Sequence, residues 1–278
     1  MILVTGAAGQ LGSDVISELK ERGIEHLGVD VADFDITDSD KTREFLSQTA
    51  PSCVIHCAAY TAVDAAEDDA RRCTLVNVSG VENLAAVCGE TDTEMIYLST
   101  DYVFDGKCGA PYETDAPKAP LSVYGRSKLA GEDAVIRHLS KFYIVRTSWM
   151  FGQNGNNFVK TILRLSQNLR EINVVCDQVG SPTYTPDLAV LLADMSLSGK
   201  YGVYHATNEG FCSWADFAQE IIHLCGAACK VNHIPTEEYP TRAIRPKNSK
   251  LSKTSLDRAG FTRLPKWENA LNRYVRNS

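Results

Sequence analysis

The sequence lacks a long hydrophobic run, a cluster of basic residues and a leader-like beginning. No apolar run approaches the ~18 residues that cross a bilayer, so we predict no membrane-spanning helix. The first residues, MILVTGAAGQLG, enter a glycine turn without a preceding basic segment, which is not typical of a signal peptide. The net charge is −7 and no stretch is rich in Lys and Arg, so we expect no nucleic-acid surface.

The sequence also lacks the cysteine spacing of a disulfide framework or a zinc site. Its nine cysteines are an odd number, and they lie in apolar contexts such as CVIHCAA. This pattern is typical of buried thiols in a reducing compartment, so we predict a cytoplasmic protein. The close pair Cys225 and Cys229 has neither the two-residue spacer of a zinc knuckle nor a second pair. We therefore predict no metal.

Apolar strands alternate with amphipathic helices through the first half of the chain. The segments MILVT, HLGVD, CVIHCAA, MIYLST and FYIVRTS are nearly free of polar alternation, and helical spacing fills the gaps between them. Such strands are typical of a parallel sheet covered on both faces. We predict an α/β fold with a doubly wound, Rossmann-like parallel sheet and a smaller C-terminal substrate-binding subdomain.

The regular alternation ends after Trp149, which indicates a domain boundary. We predict a dinucleotide-binding domain over residues 1–150, with its sheet continued by segments within 171–206. Residues 151–278 are predicted to be mainly the substrate-binding subdomain, interleaved with the end of the sheet. From Asn208 onward the prolines predict largely irregular segments.

A glycine-rich turn, TGAAGQLG, follows the first strand and opens the first helix. Gly6 permits a tight turn, Gly9 lets the backbone approach a pyrophosphate, and Gly12 permits close packing of helix on strand. Asp30 ends the second strand, where a carboxylate accepts hydrogen bonds from the adenosine ribose and repels a 2′-phosphate. This favours NADH but leaves NADPH open. Asp35 and Ile36 are placed to flank the adenine ring, although a solvated acidic loop is the alternative.

Tyr124 and Lys128 lie four residues apart on a predicted helix and therefore share one face. This helix follows the fourth strand, which ends at Ser99 and Thr100, at the edge where ligands bind in such sheets. A lysine ammonium lowers the pKa of a nearby phenol, and a threonine hydroxyl orients a substrate carbonyl. The three groups are suited to carbonyl reduction. A solvated surface pair is the alternative for Tyr124 and Lys128.

Four segments together resemble a known enzyme family: TGAAGQLG, STDYVFDG, YGRSKLAGE and RTSWMFG. They are similar to the extended short-chain dehydrogenases/reductases and, more narrowly, to the dTDP-4-dehydrorhamnose reductase family. The resemblance runs nearly end to end. It implies reduction of the 4-keto group of a dTDP-4-keto-6-deoxy sugar, dTDP-4-dehydrorhamnose to dTDP-L-rhamnose, with NADH or NADPH.

The resemblance also implies roles for individual residues. It implies Thr100, Tyr124 and Lys128 as the catalytic triad, and Thr100, Asp101 and Trp149 at the sugar. Cofactor contacts are expected from Gly6, Gly9, Gln10, Leu11, Asp30, Asp35, Ile36, Ala58, Ala59, Tyr60, Tyr124 and Lys128. Trp149 offers an apolar wall to the deoxysugar, with core packing as its alternative.

A diphosphate of the substrate needs a cation, and Arg245 in RPKNSKL is our candidate, with Arg242 as its competitor. Some members of the family are dimers that share a metal through carboxylates near the chain end. The tail after Glu268, NALNRYVRNS, has no acidic side chain. We therefore expect a monomer or a homodimer without such a metal.

Two other functions fit the same motifs. One is another nucleotide-sugar reductase or epimerase of the same fold, since specificity is set by loops. The other is a non-catalytic dinucleotide-binding subunit that resembles the regulatory subunit of methionine adenosyltransferase. The presence of Thr100, Tyr124 and Lys128 disfavours a purely regulatory role.

Overall fold

Twelve strands and eleven α-helices build the protein, a computed structural model that describes residues 1–277. The strands are β1 Ile2–Thr5, β2 His26–Val29, β3 Cys53–His56, β4 Glu94–Thr100, β5 Phe142–Thr147, β6 Met150–Phe151, β7 Glu171–Val175, β8 Val179–Gly180, β9 Thr183–Tyr184, β10 Gly202–His205, β11 Cys212–Ser213 and β12 Lys230–Ile234. The helices are α1 Gln10–Glu21, α2 Ser39–Thr49, α3 Val63–Asp68, α4 Ala70–Thr74, α5 Gly80–Glu90, α6 Val123–His138, α7 Phe158–Asn168, α8 Thr185–Met195, α9 Trp214–Cys225, α10 Thr254–Ala259 and α11 Trp267–Arg276. A π-helical turn, Leu75–Ser79, joins α4 to α5.

Six of these strands form the central sheet, in the order β10, β5, β4, β3, β1, β2. Every neighbouring pair in this sheet is parallel. The chain passes from β1 to β2 on one side and returns to β3 on the other, so the winding direction reverses at β1. Ligands bind to doubly wound sheets at the carboxyl ends of the strands near this reversal. The predicted fold is confirmed.

Helices cover both faces of the sheet because successive strand residues point in opposite directions. Ile2 and Val4 pack into the core beneath α1 and α8, whereas Leu3 packs into the core formed with α2, α5 and α6. Leu3 and Val4 are fully buried. Each such side chain contributes roughly 1.5–3 kcal/mol of burial free energy, which explains the unbroken apolar strands in the sequence.

A third core lies outside the sheet, among α7, α9 and α11. Its centre is aromatic, with Phe151, Phe217 and Tyr274 buried together. The predicted strand INVVC is present as β7, but it pairs with β12 in a separate two-stranded sheet. Among the strands described after residue 150, β10 alone joins the central sheet. The division into two domains at residue 150 stays a prediction.

The expectation of largely irregular structure after Asn208 is wrong. This region contains α9, α10, α11 and β12. α9 begins at a reciprocal capping box, in which Ser213 and Asp216 satisfy each other's backbone N–H groups, and it ends at Gly226 in a left-handed conformation. The prolines that suggested irregular structure lie outside these helices.

No helix within residues 1–277 is long and apolar enough to cross a membrane.

Candidate active site

A cleft of about 800 Å³ opens along the carboxyl ends of the central strands. Thr5 at the end of β1 and Thr100 at the end of β4 line it, as do residues that follow β2, β3 and β5. All predicted cofactor-binding and catalytic residues line this cleft, and so do Asp101 and Trp149. The predicted substrate residue Arg245 does not line it. These positions are the ones expected for a ligand site in a doubly wound sheet.

The glycine turn forms one end of the cleft, and its geometry excludes side chains. Gly6 has φ +68°, and a Cβ there would lie 2.7 Å from the Ala58 nitrogen. A Cβ on Gly12 would lie 2.0 Å from the Gly6 carbonyl oxygen. Gly9 precedes α1 and has no side chain to cap the first turn, so the helix N-terminus can receive an anion.

Asp30 supports this turn directly. Its Oδ2 accepts a hydrogen bond from the Ala8 backbone N–H at 2.7 Å. The carboxylate is therefore fixed beside the glycine turn, at the position where sequence analysis expected a ribose contact. Ile36 packs against the start of α5, since a Cβ on Gly80 would lie 2.7 Å from its Cδ1.

Thr100, Tyr124 and Lys128 converge as predicted. Ser122 caps α6 by accepting a hydrogen bond from the Gly125 N–H at 3.0 Å, and this fixes the helix that carries Tyr124 and Lys128. Thr100 lies beside Tyr124, and its hydroxyl acts to lower the pKa of the phenol. Lys128 is buried, and its Nζ lies 4.1 Å from the centroid of the Tyr97 ring. Their catalytic roles stay predictions.

The expected lowering of the Tyr124 pKa is wrong for this arrangement. Desolvation and the nearby Asp101 charge raise the pKa of Tyr124 above its usual value, and the neighbouring Thr100 hydroxyl opposes them only in part. Desolvation also lowers the pKa of Lys128 to about 7, although Glu132 works against this effect. Burial dominates the pKa of Tyr124, so its side chain is a neutral phenol at ordinary pH.

Asp101 is a buried acid beside this group. Its Oδ1 accepts a hydrogen bond from Thr100 Oγ1 at 2.9 Å, and burial raises its pKa to about 6. The Thr100 hydroxyl is therefore held by Asp101, and it also accepts from the Tyr102 backbone N–H at 3.2 Å. Within residues 1–277, no group of three or more His, Cys, Asp or Glu side chains is placed to hold a metal ion.

A fully buried ion pair lies behind the converging residues. Arg146 donates to both carboxylate oxygens of Glu132, at 2.8 and 2.7 Å, and each side chain is 1% exposed. Ser99 Oγ donates to the same carboxylate at 2.5 Å, and Arg146 also donates to the Thr114 carbonyl at 2.8 Å. This buried network holds β4, β5, α6 and the 105–122 loop together. Sequence analysis quoted both ion-pair residues within motifs but gave neither a role.

Two indoles form the far wall of the cleft. Trp149 has φ +49°, a left-handed conformation that costs of order 1–3 kcal/mol outside glycine. Its ring stacks on Trp214 with centroids 3.7 Å apart, and Phe158 lies 4.6 Å beyond Trp214. Trp214 was not predicted as a site residue. The only local signal is the capping box at Ser213, which predicts that α9 begins at Trp214 but does not show that its ring meets Trp149.

Arg245 lies apart from these groups. It forms a bidentate ion pair with Asp64, at 2.6 and 3.1 Å, and it also lies near Tyr102, which lines the cleft. Its competitor Arg242 pairs with Asp68. The phosphate-binding role of Arg245 stays a prediction.

Comparison with known proteins agrees with this geometry. The family model described as "RmlD substrate binding domain" matches residues 1–278. A dTDP-4-dehydrorhamnose reductase from Aggregatibacter actinomycetemcomitans is 42% identical over 97% of this chain and 96% of its own length. The chain belongs to the dTDP-4-dehydrorhamnose reductase family. The resemblance inferred from its motifs is confirmed.

Solved structures of the dTDP-4-dehydrorhamnose reductase family have nearly the same backbone. The reductase from Clostridium acetobutylicum is 42% identical, with a TM-score of 0.97 over 99% of this chain and 98% of that one. The reductase from Bacillus anthracis, solved in complex with NADP, is 39% identical, with a TM-score of 0.97 over 100% and 99% of the two chains.

Proposed function

We propose that the protein reduces the 4-keto group of a dTDP-4-keto-6-deoxy sugar, converting dTDP-4-dehydrorhamnose to dTDP-L-rhamnose with NADH or NADPH. The observation that carries this proposal is the convergence of Thr100, Tyr124 and Lys128 in one cleft with the glycine turn. Family membership over the whole chain supports it.

The cleft fits a dinucleotide. The glycine turn leaves a cradle that a Cβ would fill, and the uncapped start of α1 directs N–H groups at it. Gly6, Gly9, Gln10 and Leu11 would hold the diphosphate, and Asp30 the adenosine ribose. When a reduced nicotinamide cofactor is bound there, its chemistry would be transfer of a hydride to the carbonyl carbon.

The residues of the chain then orient and protonate the oxygen of that carbonyl. Thr100 orients it by a hydrogen bond, and Tyr124 gives it a proton as the carbon–oxygen double bond becomes an alcohol. The raised pKa of Tyr124 does not prevent this transfer. An alkoxide is about as basic as hydroxide and is a much stronger base than a phenolate, so it takes the proton readily. Buried Lys128 provides positive charge for the phenolate that is left.

The test is a turnover assay with a panel of 4-keto-6-deoxy sugar nucleotides and both reduced cofactors, followed by cofactor absorbance. We expect oxidation of the cofactor that depends on the 4-keto sugar and is fastest with the dTDP compound. Cofactor binding without turnover of any member of the panel would instead support a regulatory subunit.

Asp30 is expected to bias the choice of cofactor. Replacing it by Ser should raise the ratio of NADPH to NADH efficiency by roughly tenfold, because the carboxylate no longer repels a 2′-phosphate. Both cofactors should also bind less tightly, since the Ala8 N–H loses its acceptor. The measurement is kcat/KM for each cofactor. Asp40→Ser removes the same charge from an exposed helix position and serves as the control. If the ratio of NADPH to NADH efficiency is unchanged in Asp30→Ser, another residue discriminates between the two cofactors.

Arg245 is proposed to bind the diphosphate of the sugar nucleotide, exchanging Asp64 for phosphate oxygens. A charge-assisted contact is worth about 1.5–3 kcal/mol, so Arg245→Ala should raise the KM for the sugar nucleotide roughly ten- to a hundredfold. The KM for the cofactor should barely change, and Arg245→Lys should recover only part of the loss. Arg242→Ala is the matched control. A larger effect of Arg242→Ala would transfer the role to that residue.

We also propose a cytoplasmic location, a nucleotide-sugar substrate and a monomer or homodimer. The nine cysteines are free thiols, seven of them buried or half-buried, which supports a reducing compartment. The separate aromatic core among α7, α9 and α11 supports a substrate-binding subdomain after residue 150.

A further inference from the structure

Arg72 is a cation on the wall of the cleft whose guanidinium has no ion-pair partner within residues 1–277. It lines the cleft and is exposed to solvent. Its backbone N–H donates to the Asp69 side chain at 3.0 Å, but within residues 1–277 its guanidinium has no hydrogen-bond or ion-pair partner. Arg245, which lies near the cleft residue Tyr102, is by contrast already paired with Asp64.

The charge balance of the cleft makes this cation important. Three carboxylates line it, those of Asp30, Asp35 and Asp101. Only two cations line it among the described residues, Arg72 and Lys128. Lys128 is buried against Tyr97 and holds its proton only in part near neutral pH. A guanidinium stays charged at every ordinary pH, so Arg72 is the permanent positive charge available to an anionic ligand.

Neighbouring contacts fix the helix of Arg72 beside the loop that follows β3. Val76, one turn further along, lines the same cleft. In the π-helical turn that follows, Asn77 accepts from the Tyr60 N–H at 2.8 Å and donates to the Tyr60 carbonyl at 3.0 Å. This fixes the helix to the loop after β3. Gly80 then packs on Ile36. Arg72 itself is exposed and lines the cleft, so it lies at the rim of the cleft.

We propose that Arg72 binds a phosphate group of the dinucleotide cofactor at this rim. The inference rests on the proposed function, because it requires a dinucleotide in the cleft. A guanidinium matches phosphate oxygens through two parallel N–H donors. The phosphate belongs either to the diphosphate that links the two nucleosides or to the 2′-phosphate that distinguishes NADPH from NADH.

The test compares Arg72→Gln, Arg72→Lys and Arg71→Gln in the full chain. Arg71 is the adjacent exposed arginine on the same helix, carries the same charge and does not line the cleft. Dissociation constants for NADPH and NADH are measured by fluorescence titration at low and high salt. We expect Arg72→Gln to weaken cofactor binding about tenfold at low salt, Arg72→Lys to recover part of the loss, and Arg71→Gln to bind within about twofold of wild type.

The two cofactors identify the phosphate. An equal loss for NADPH and NADH assigns Arg72 to the diphosphate, and a loss for NADPH alone assigns it to the 2′-phosphate. The salt dependence of binding should also be smaller in Arg72→Gln, since an exposed charge contact is screened by salt. If Arg72→Gln binds both cofactors with wild-type affinity, the inference about Arg72 is wrong, even if the KM for the sugar nucleotide changes. The proposed function would not be affected by that result. Failure of the wild-type protein to bind either cofactor overturns the proposed function as well.

Discussion

Tyr124→Phe is expected to reduce kcat for ketone reduction by about 10²–10⁴-fold, the usual contribution of a positioned general acid. The substitution removes the phenolic proton and keeps the ring, which packs edge-on to Tyr102 with centroids 5.7 Å apart. The affinity for the cofactor should therefore stay close to wild type. The measurements are single-turnover rates of cofactor oxidation and a parallel binding titration.

Tyr102→Phe is the matched control, because it removes a second hydroxyl from the same cleft. It should cost much less than Tyr124→Phe. A Tyr124→Phe variant that turns over at the wild-type rate would exclude this phenol as the proton donor. Asp101 would then be the next candidate, since its pKa of about 6 leaves it partly protonated near neutral pH.

Glu132→Gln is expected to lower the free energy of unfolding by about 3–5 kcal/mol, because it leaves the buried Arg146 guanidinium without its counter-charge. Glu90→Gln is the control. It breaks the ion pair of Glu90 with Arg43, in which both side chains are 54% exposed, and it should lower the stability much less than Glu132→Gln does, because solvent screens the pair. Chemical denaturation of the three proteins measures these differences.

A double variant distinguishes the effect of the unpaired buried charge on stability from the effect of disturbed core packing. Glu132→Met with Arg146→Leu replaces both charges by apolar groups and should recover much of the loss, since paired replacement of a buried ion pair is often tolerated. Equal costs for Glu132→Gln and Glu90→Gln would show that the buried network does not stabilise the fold.

Local patterns sufficed to predict the sheet and most of the cleft. The apolar strands indicated burial on both faces, and the four-residue spacing placed Tyr124 and Lys128 on one face of α6. The strand pattern and the helix spacing both depend on residues that are close in sequence. The capping box and the left-handed Gly226 that delimit α9 are local too, so this helix is predictable from the sequence. The prolines of this region are a weaker signal, because they lie outside its helices.

Other features depend on contacts between distant segments and could not be read locally. Trp214, at the start of α9, stacks on Trp149, which follows β5 and lies far from it in the sequence. Glu132 and Arg146 meet because α6 lies over β5. The pKa of Tyr124 was predicted in the wrong direction, since spacing shows that a lysine is near but does not show how much water the fold removes.

The position of β10 has a consequence for synthesis of the chain. β10 supplies the last strand beside β5, and Arg146 and His205, which lie in this pair, are 59 residues apart in sequence. Until the ribosome has released that segment, β5 presents an unpaired parallel edge, and such edges recruit other chains. We therefore expect nascent chains that stop between these strands to depend on chaperones, and a release of that dependence once β10 leaves the exit tunnel.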